Sequence, residues 1–315
     1  MGRRNFRRGV VKLSEWGEAG LIRWLAGRFS GGSGVVRGIG DDCAVLAGPR
    51  GKWGLFACDM LVEGTHFSRQ APAGKVGWKA LAINVSDVAA MGGLPKFAVV
   101  GLGLPSRTDA AWVRRFYEGM ARCARKFQVR IVGGDTVRAP RSMVTVAIWG
   151  EVERKRLLLR SGARPGDDLW VTGRLGGAIR SGRHLSFIPR LTEARAIAAR
   201  VPLHAMMDLS DGLLMDLPRL CRAGKVRAEL ELAALPRHRG VSLESALQEG
   251  EDFELLFAVS PAASRKMERW RSGRPRCGLT RIGRIRSGGR GPVVFGIDQK
   301  GRKFPLPEKG FSHFQ

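Results

Sequence analysis

The sequence predicts an α/β layer in its first half and a second unit of mixed strands and helices behind it. Three observations carry this. Short apolar runs of strand length alternate with amphipathic stretches of helical spacing through the first 150 or so of 315 residues. A charge run at Glu153–Arg156, followed by the turn-rich segment Arg160–Asp167, then breaks the pattern and marks the boundary. Beyond it, strand-like and helix-like segments recur without that regular alternation. The length suits about two domains.

The elements follow in order. Leu21–Phe29 reads as a helix stopped by the glycines of Gly31–Gly34. Gly54–Asp59 is a short apolar run, read as a buried strand. Lys75–Met91 has helical spacing, with Val76, Leu81, Val85, Val88 and Ala89 on one side and Gly92 and Gly93 ending it. Phe97–Leu104 is a second strand, Asp109–Lys126 an amphipathic helix, and Val129–Val132 and Met143–Val152 are strands. In the second half, Asp168–Thr172 and Phe253–Val259 read as strands, and Thr192–Arg200 and Gly212–Arg222 as helices.

Composition excludes several classes. No apolar run approaches the roughly 18 to 20 residues a membrane span needs. The Arg-rich start, Met1–Arg8, lacks the apolar centre of a signal peptide, and Phe6 breaks the myristoylation pattern. Five cysteines, an odd number with no Cys-x-x-Cys pair, argue against a zinc cluster or disulfide framework and fit a reducing cytoplasm. The net charge of +26 attracts polyanions. It is spread along the whole chain, however, and reads as a basic solvated surface without the aromatic interleaving of a nucleic-acid platform.

The acidic residues are the informative ones. Only 28 occur, yet several sit in apolar or glycine-rich settings. These are Asp41 and Asp42 in Gly-Ile-Gly-Asp-Asp-Cys-Ala, Asp59 closing an apolar strand, Asp87 inside an apolar helix, Asp135 after Gly133-Gly134, Asp208 and Asp211 in Asp-Leu-Ser-Asp-Gly-Leu, and Glu251 and Asp252 after Gly250. A carboxylate there loses hydration that something must replace. Hard oxygen donors gathered from separate strand ends suit Mg²⁺. Some have simpler readings: Asp208, Ser210 or Asp211 could cap the helix near Gly212, and Asp135 could close a turn. A mid-helix Asp87 among alanines serves neither purpose. Gly133-Gly134 and Gly173, Gly176 and Gly177 allow close backbone approach to phosphates. There is no Gly-x-x-x-x-Gly-Lys-Ser/Thr loop, no protein-kinase signature and no Gly-x-Ser-x-Gly elbow.

In this order the segments resemble the thiamine-phosphate kinase family. Gly38–Ala44 is followed by Asp59–Phe67 (Asp-Met-Leu-Val-Glu-Gly-Thr-His-Phe) and by Lys79–Gly92, which contains Asn84-Val85-Ser86-Asp87. Gly133–Thr136, Arg160–Ala163, Asp208–Leu213, Gly250–Leu255 and the terminal Gly310–Phe314 continue the match from about Leu13 onward. Several of these segments are shared with the wider aminoimidazole ribonucleotide synthetase-like superfamily.

The resemblance implies an α/β plus α+β architecture. Residues 1–153 would form an ATP- and metal-binding domain that also dimerises, and residues 154–315 an α+β domain. It implies ATP as co-substrate in the cleft between domains, several Mg²⁺ ions, thiamine monophosphate as acceptor and a cytoplasmic homodimer. It carries metal-ligand roles onto Asp42, Asp59, Asp87, Asp135, Asp208 and Asp211. Nucleotide contacts fall on Tyr117, Gly134, Asp135, Arg160 and Ser210, and substrate contacts on His66, Glu251 and Phe311, the last stacking on a thiamine ring. Asp135, Arg160 and Asp211 would act directly in the chemistry. The acceptor phosphate, with a second pKa of about 6, needs no general base, so the expected reaction is in-line transfer without a phosphoenzyme. One departure stands out: Ala57 and Cys58 occupy positions where the family shows hydroxyl residues. Cys58 thus stands at a metal-ligand position with a soft thiol that matches Mg²⁺ poorly. Alternatives are a sister enzyme of the superfamily with another substrate, a non-catalytic relative, and a nucleic-acid-binding protein.

Overall fold

The computed structural model describes residues 12–29, 31–271 and 277–314. The Arg-rich Met1–Arg8 segment lies outside them.

The chain opens with a one-turn helix α1 (Leu13–Trp16) and α2 (Glu18–Arg28), then β1 (Val35–Arg37), β2 (Ala44–Ala47) and the long β3 (Lys52–Val62). Next come α3 (Ala73–Ala90), β4 (Leu94–Leu104), α4 (Ala110–Phe127), β5 (Arg130–Arg138) and β6 (Met143–Glu153). The six strands form one sheet in the order β1-β2-β3-β6-β4-β5, with β4 and β5 parallel and the other neighbours antiparallel. Residues alternate across it. On β3, Leu55, Ala57 and Leu61 point inward and Phe56, Cys58 and Met60 outward.

α3 covers the inner face and is buried along nearly its whole length, which explains why its apolar pattern runs wider than a simple stripe. α4 lies directly against it. A Cβ at Gly77 would come within 1.9 Å of the Phe116 carbonyl oxygen, and one at Gly119 within 1.8 Å of the Gly74 carbonyl oxygen. The helix crossing therefore depends on missing side chains. α4 begins at Asp109, whose carboxylate accepts from the Ala111 N–H at 2.8 Å, an N-cap contact.

β5 is the sheet's free edge, and every residue in it is exposed, Val132 by 60%. It continues straight through Gly133-Gly134-Asp135, so Asp135 lies within a strand and not in the turn that was its simpler reading.

The second half contains β7 (Asp168–Thr172), α5 (Leu191–Arg200), β8 (Leu203–Asp208), α6 (Leu213–Gly224), β9 (Val226–Glu231), α7 (Leu243–Gln248), β10 (Leu255–Val259), α8 (Pro261–Arg271), β11 (Leu279–Ser287), β12 (Val294–Ile297) and β13 (Lys303–Pro305). Its seven strands run in the order β13-β12-β9-β11-β7-β10-β8, and only β12–β9 is parallel. The central strands β7 and β10 are buried on both faces. α6 covers one face through Leu213, Leu217 and Leu220. Trp170 and Phe257 on the other face belong to the same apolar cluster as the first sheet and α3.

One core thus runs through both halves, and polar ties reinforce it. Arg195 on α5 grips Glu153 with two contacts of 2.7 and 2.8 Å, and donates to the Gly92 carbonyl at 2.9 Å. Trp78 Nε1 donates to the Phe187 carbonyl at 2.7 Å. Among the described residues no helix is long and apolar enough to cross a membrane.

Candidate active site

α3 and the end of β8 meet between the two sheets, and the acidic residues converge there. Asp42 ends the glycine loop that enters β2, Asp59 sits on β3, Asp87 is near the end of α3, and Asp208 is the last residue of β8. Oxygens of Asp42, Asp87 and Asp208 all lie within 4.8 Å of one another. Asp59 shares a hydrogen bond with Asp87. The Ser86 hydroxyl donates to Asp208 Oδ2 at 2.5 Å and joins the two domains at this point.

Charge of one sign is therefore concentrated where water is scarce. Burial, then repulsion from Asp59, Asp208 and Asp42, pushes the Asp87 carboxyl well above the usual carboxylate range. Burial, with Asp42, does the same to Asp208. Asp59 is raised to about 6 by burial, and Asp41 to about 7 by burial and by Asp42. The neighbouring Cys43 thiol is pushed up by burial and by Asp87, so it remains a protonated, inert thiol.

Arg160 answers part of this charge. Its guanidinium is hydrogen-bonded to Asp42, and its backbone N–H donates to Asp41 Oδ2 at 3.2 Å. Burial works against the guanidinium charge, but Asp42 and Asp41 more than offset it and hold the group protonated. The balance stays negative, and Asp42 Oδ2 is buried with no hydrogen-bond partner among the described residues. An orphaned buried carboxylate oxygen inside a cluster of carboxylates is what a site for hard cations requires.

The turn before α6 resolves the capping question. The α6 N-terminus is capped by neither Asp208, Ser210 nor Asp211. The Asp216 carboxylate accepts from the N–H groups of Ser210 and Asp211, both at 3.0 Å. Asp211 is then held by Arg219 at 2.6 Å, and with Ser210 it lines an open cleft of about 530 Å³. Asp59 and Asp87 line the same end.

The other end of this cleft is aromatic. The rings of His66, Phe311 and His313 pack together, with His66–His313 at 5.3 Å and Phe311–His313 at 4.8 Å. His66 Nδ1 accepts the Val62 N–H at 3.0 Å, which leaves the proton on Nε2. Burial, then Lys79 and His313, lowers its pKa to about 4, so it is neutral at pH 7. Glu251 lies beside it. Its neighbour Asp252 turns away, accepting from the Gly176 N–H at 2.7 Å and pairing with Arg183 at 2.8 Å. Asp252 is thus part of the scaffold of the second domain.

Three expected site residues stand apart from this assembly, and a fourth is turned from its carboxylates. The register runs Met60–Thr145–Gly101–Asp135 across β3, β6, β4 and β5. Asp135 is therefore three strands from β3, about 14 Å at the usual spacing, and on the outer face. Gly134 lies on the same free edge strand. Tyr117, on α4, packs edge-on against Phe116 at 5.2 Å. Cys58 lines the cleft beside Asp59, but its side chain alternates with Phe56 and Met60 to the face of β3 opposite the Asp59 carboxylate. Residues not singled out in the sequence also appear: Lys79, His313, Arg219 and the capping Asp216. Lys79 and His313 carried a signal, by their places in the Lys79–Gly92 segment and in the terminal Gly-Phe-Ser-His-Phe.

Comparison with known proteins places the chain. The family models for AIR synthase related proteins match residues 40–152 with their N-terminal domain and 164–294 with their C-terminal domain. Thiamine-monophosphate kinase of Rhodopirellula baltica is 38% identical over 85% of this chain and 89% of its own length. That of Bacillus subtilis is 33% identical over 95% and 99%. The solved structure "AaThiL complexed with AMPPCP and TMP" superposes with a TM-score of 0.83 at 32% identity, over 97% of this chain and all of that one. With both domain models matched and identities above 30% across most of the sequence, the chain belongs to the thiamine-monophosphate kinase family of AIR synthase related proteins.

Proposed function

We propose that the protein transfers the γ-phosphoryl group of ATP to thiamine monophosphate, forming thiamine diphosphate and ADP. The observation that carries this is the polarity of the cleft. Asp59, Asp87 and Asp211 line one end, backed by the buried Asp42–Arg160 pair, and the rings of His66 and Phe311 line the other. A phosphorylated aromatic cation has matching ends. The relatives named thiamine-monophosphate kinase, and the neighbour solved with AMPPCP and TMP, support the same reading.

The residues fit Mg²⁺. Asp42, Asp59, Asp87, Asp208 and Asp211 would hold several such ions, and the buried Asp42 Oδ2, without a hydrogen-bond partner among the described residues, is suited to a cation contact. Bound there, the ions would neutralise the repulsion between donor and acceptor phosphates. An oxygen of thiamine monophosphate attacks the γ-phosphorus while the bond to the ADP oxygen breaks in line. This oxygen is already largely deprotonated, so no side chain need take a proton and no phosphoenzyme forms. Arg160 and Asp211 orient the reacting groups at this end. Ser210 lies in reach of the nucleotide, and Phe311 stacks on a thiamine ring while His66 and Glu251 contact the substrate.

A homodimer completes the reading. The outer face of the first sheet exposes Phe56, Met60, Phe97 and Val99, and ends in the uncovered β5 with Val132 and Val137. An exposed edge strand of nine residues that presents Ile131, Val132 and Val137 calls for a cover. A second copy docked on this face would bring Gly134 and Asp135 of one protomer toward the nucleotide and metal end of the other. All five cysteines are free, in keeping with a cytoplasmic enzyme. The test is an assay of purified protein with ATP, Mg²⁺ and thiamine monophosphate, following thiamine diphosphate, with free thiamine as control. Product from the monophosphate alone is expected. Equal turnover of free thiamine would refute the reading, since a hydroxyl acceptor needs a base.

A further inference from the structure

Lys79 is the most unusual side chain in the molecule. It sits in the middle of α3 among Val76, Ala80 and Ile83, and is 0% exposed. A buried ammonium is costly unless paired, and an apolar side chain there would pack at no such cost. Lys79 has two partners. Nζ lies 2.6 Å from Glu251 Oε2 and donates to the His66 carbonyl oxygen at 3.0 Å.

These partners come from different domains, and both face the aromatic end of the cleft. His66 follows β3 in the first domain. Glu251 belongs to the second, where it holds φ at +70°, a conformation that costs a non-glycine residue energy. Its N–H donates to the Ser210 carbonyl at 2.7 Å, which anchors the backbone but leaves the carboxylate to be aimed by something else. Only the ammonium does that among the described residues.

We propose that Lys79 is a positioning residue for thiamine monophosphate, setting the Glu251 carboxylate and the His66 loop against each other across the domain boundary without touching ATP. The inference rests on the function proposed above. Its role is confined to the substrate end, because its contacts stop short of the carboxylate cluster.

The test is steady-state kinetics of Lys79→Met with each substrate varied in turn. KM for thiamine monophosphate should rise about tenfold or more, KM for ATP should stay within about twofold, and kcat should fall less than KM rises. In a double-mutant cycle, Glu251→Gln should raise the same KM, and adding Lys79→Met to it should do little more. The double variant contains no unpaired buried charge and serves if the single one does not fold. A side chain that only props up the core would lower stability or the active fraction while leaving both KM values unchanged; that result overturns the proposal. So does an equal rise in both KM values, or fully additive effects in the cycle. A wild-type protein that does not turn over thiamine monophosphate overturns the function and this inference together. Normal wild-type turnover with an unmoved KM in the variant overturns this inference alone.

Discussion

The two ends of the cleft handle charge in opposite ways. At the aromatic end, charge is balanced: the Lys79 ammonium pairs with Glu251, whose Oε2 makes no directed hydrogen bond among the described residues, and donates to a carbonyl, while His66 is neutral with a defined tautomer. At the carboxylate end it is not. Asp42, Asp87 and Asp208 crowd together, Arg160 answers only part of their charge, and one buried oxygen has no partner among the described residues. The Lys79 ammonium and the Asp208 carboxylate are both buried, at 0% and 3% exposure, so burial alone does not explain the difference. Satisfied polar groups are preorganised to receive a ligand. Unsatisfied ones mark where the ligand must itself bring the missing charge.

Substitutions can break this contrast. The largest effect is expected at the unsatisfied end. Asp87→Asn should lower kcat at least about a hundredfold, roughly 2.7 kcal/mol of transition-state stabilisation. The same change removes a repelling buried charge, so the metal-free variant should melt no lower than the wild type by calorimetry. An Asp87→Asn enzyme with near-normal turnover at low Mg²⁺ would make Asp87 merely structural.

A smaller and different effect is expected at the aromatic end. Phe311→Ala removes the half-exposed ring that closes the cleft. It should raise KM for thiamine monophosphate about tenfold, in line with one lost aromatic contact. KM for ATP, measured in the same assay, should not move. If both rise together, the two ends are not independent.

The smallest effect tests the position between them. Cys58 was expected to weaken a metal site because its thiol replaces a hydroxyl. Its side chain faces away from the carboxylate cluster, so Cys58→Thr should shift the Mg²⁺ concentration for half-maximal activity by less than about twofold. A larger drop would mean that a cation is held on the outer face of β3.

Much of this was legible in the sequence because the helices and buried strands near the site follow simple periods. α3, α4 and β3 were read correctly in kind, and Asp87 stood out as an acid that neither capped a helix nor turned a chain. β9 and β11 were not singled out. Their apolar residues are interrupted by arginines and glutamates whose pairing, such as Arg286 with Glu229 at 2.7 Å, appears only once the strands are side by side. Within the site, residue type and spacing did not separate Glu251 from Asp252, and only the family resemblance favoured Glu251; a positive φ there sends the adjacent carboxylates to different places. Lys79 opens the Lys79–Gly92 segment, but its burial and its pairing with Glu251 appear only once α3 is packed between the domains. Asp135 shows the opposite limit: its motif is plain, but its own chain leaves it on an exposed edge.

The central claim is that the carboxylate end stays unsatisfied until divalent cations occupy it, and protein melting as a function of pH and Mg²⁺ tests this most directly. The folded carboxyls of Asp59, Asp41 and Asp216 are raised to about 6, 7 and 7, mainly by burial, above the ordinary 3.8. Between these values the native state binds more protons than the unfolded chain. Stability of the metal-free protein should therefore rise as pH falls from about 7.5 toward 4, apart from any acid unfolding elsewhere. Saturating Mg²⁺ at pH 7.5 should raise the melting temperature by several degrees and flatten this pH dependence, and Asp87→Asn should lose most of the Mg²⁺ response. A wild-type protein whose melting temperature at pH 7.5 does not respond to Mg²⁺, with or without ATP, would contradict the account.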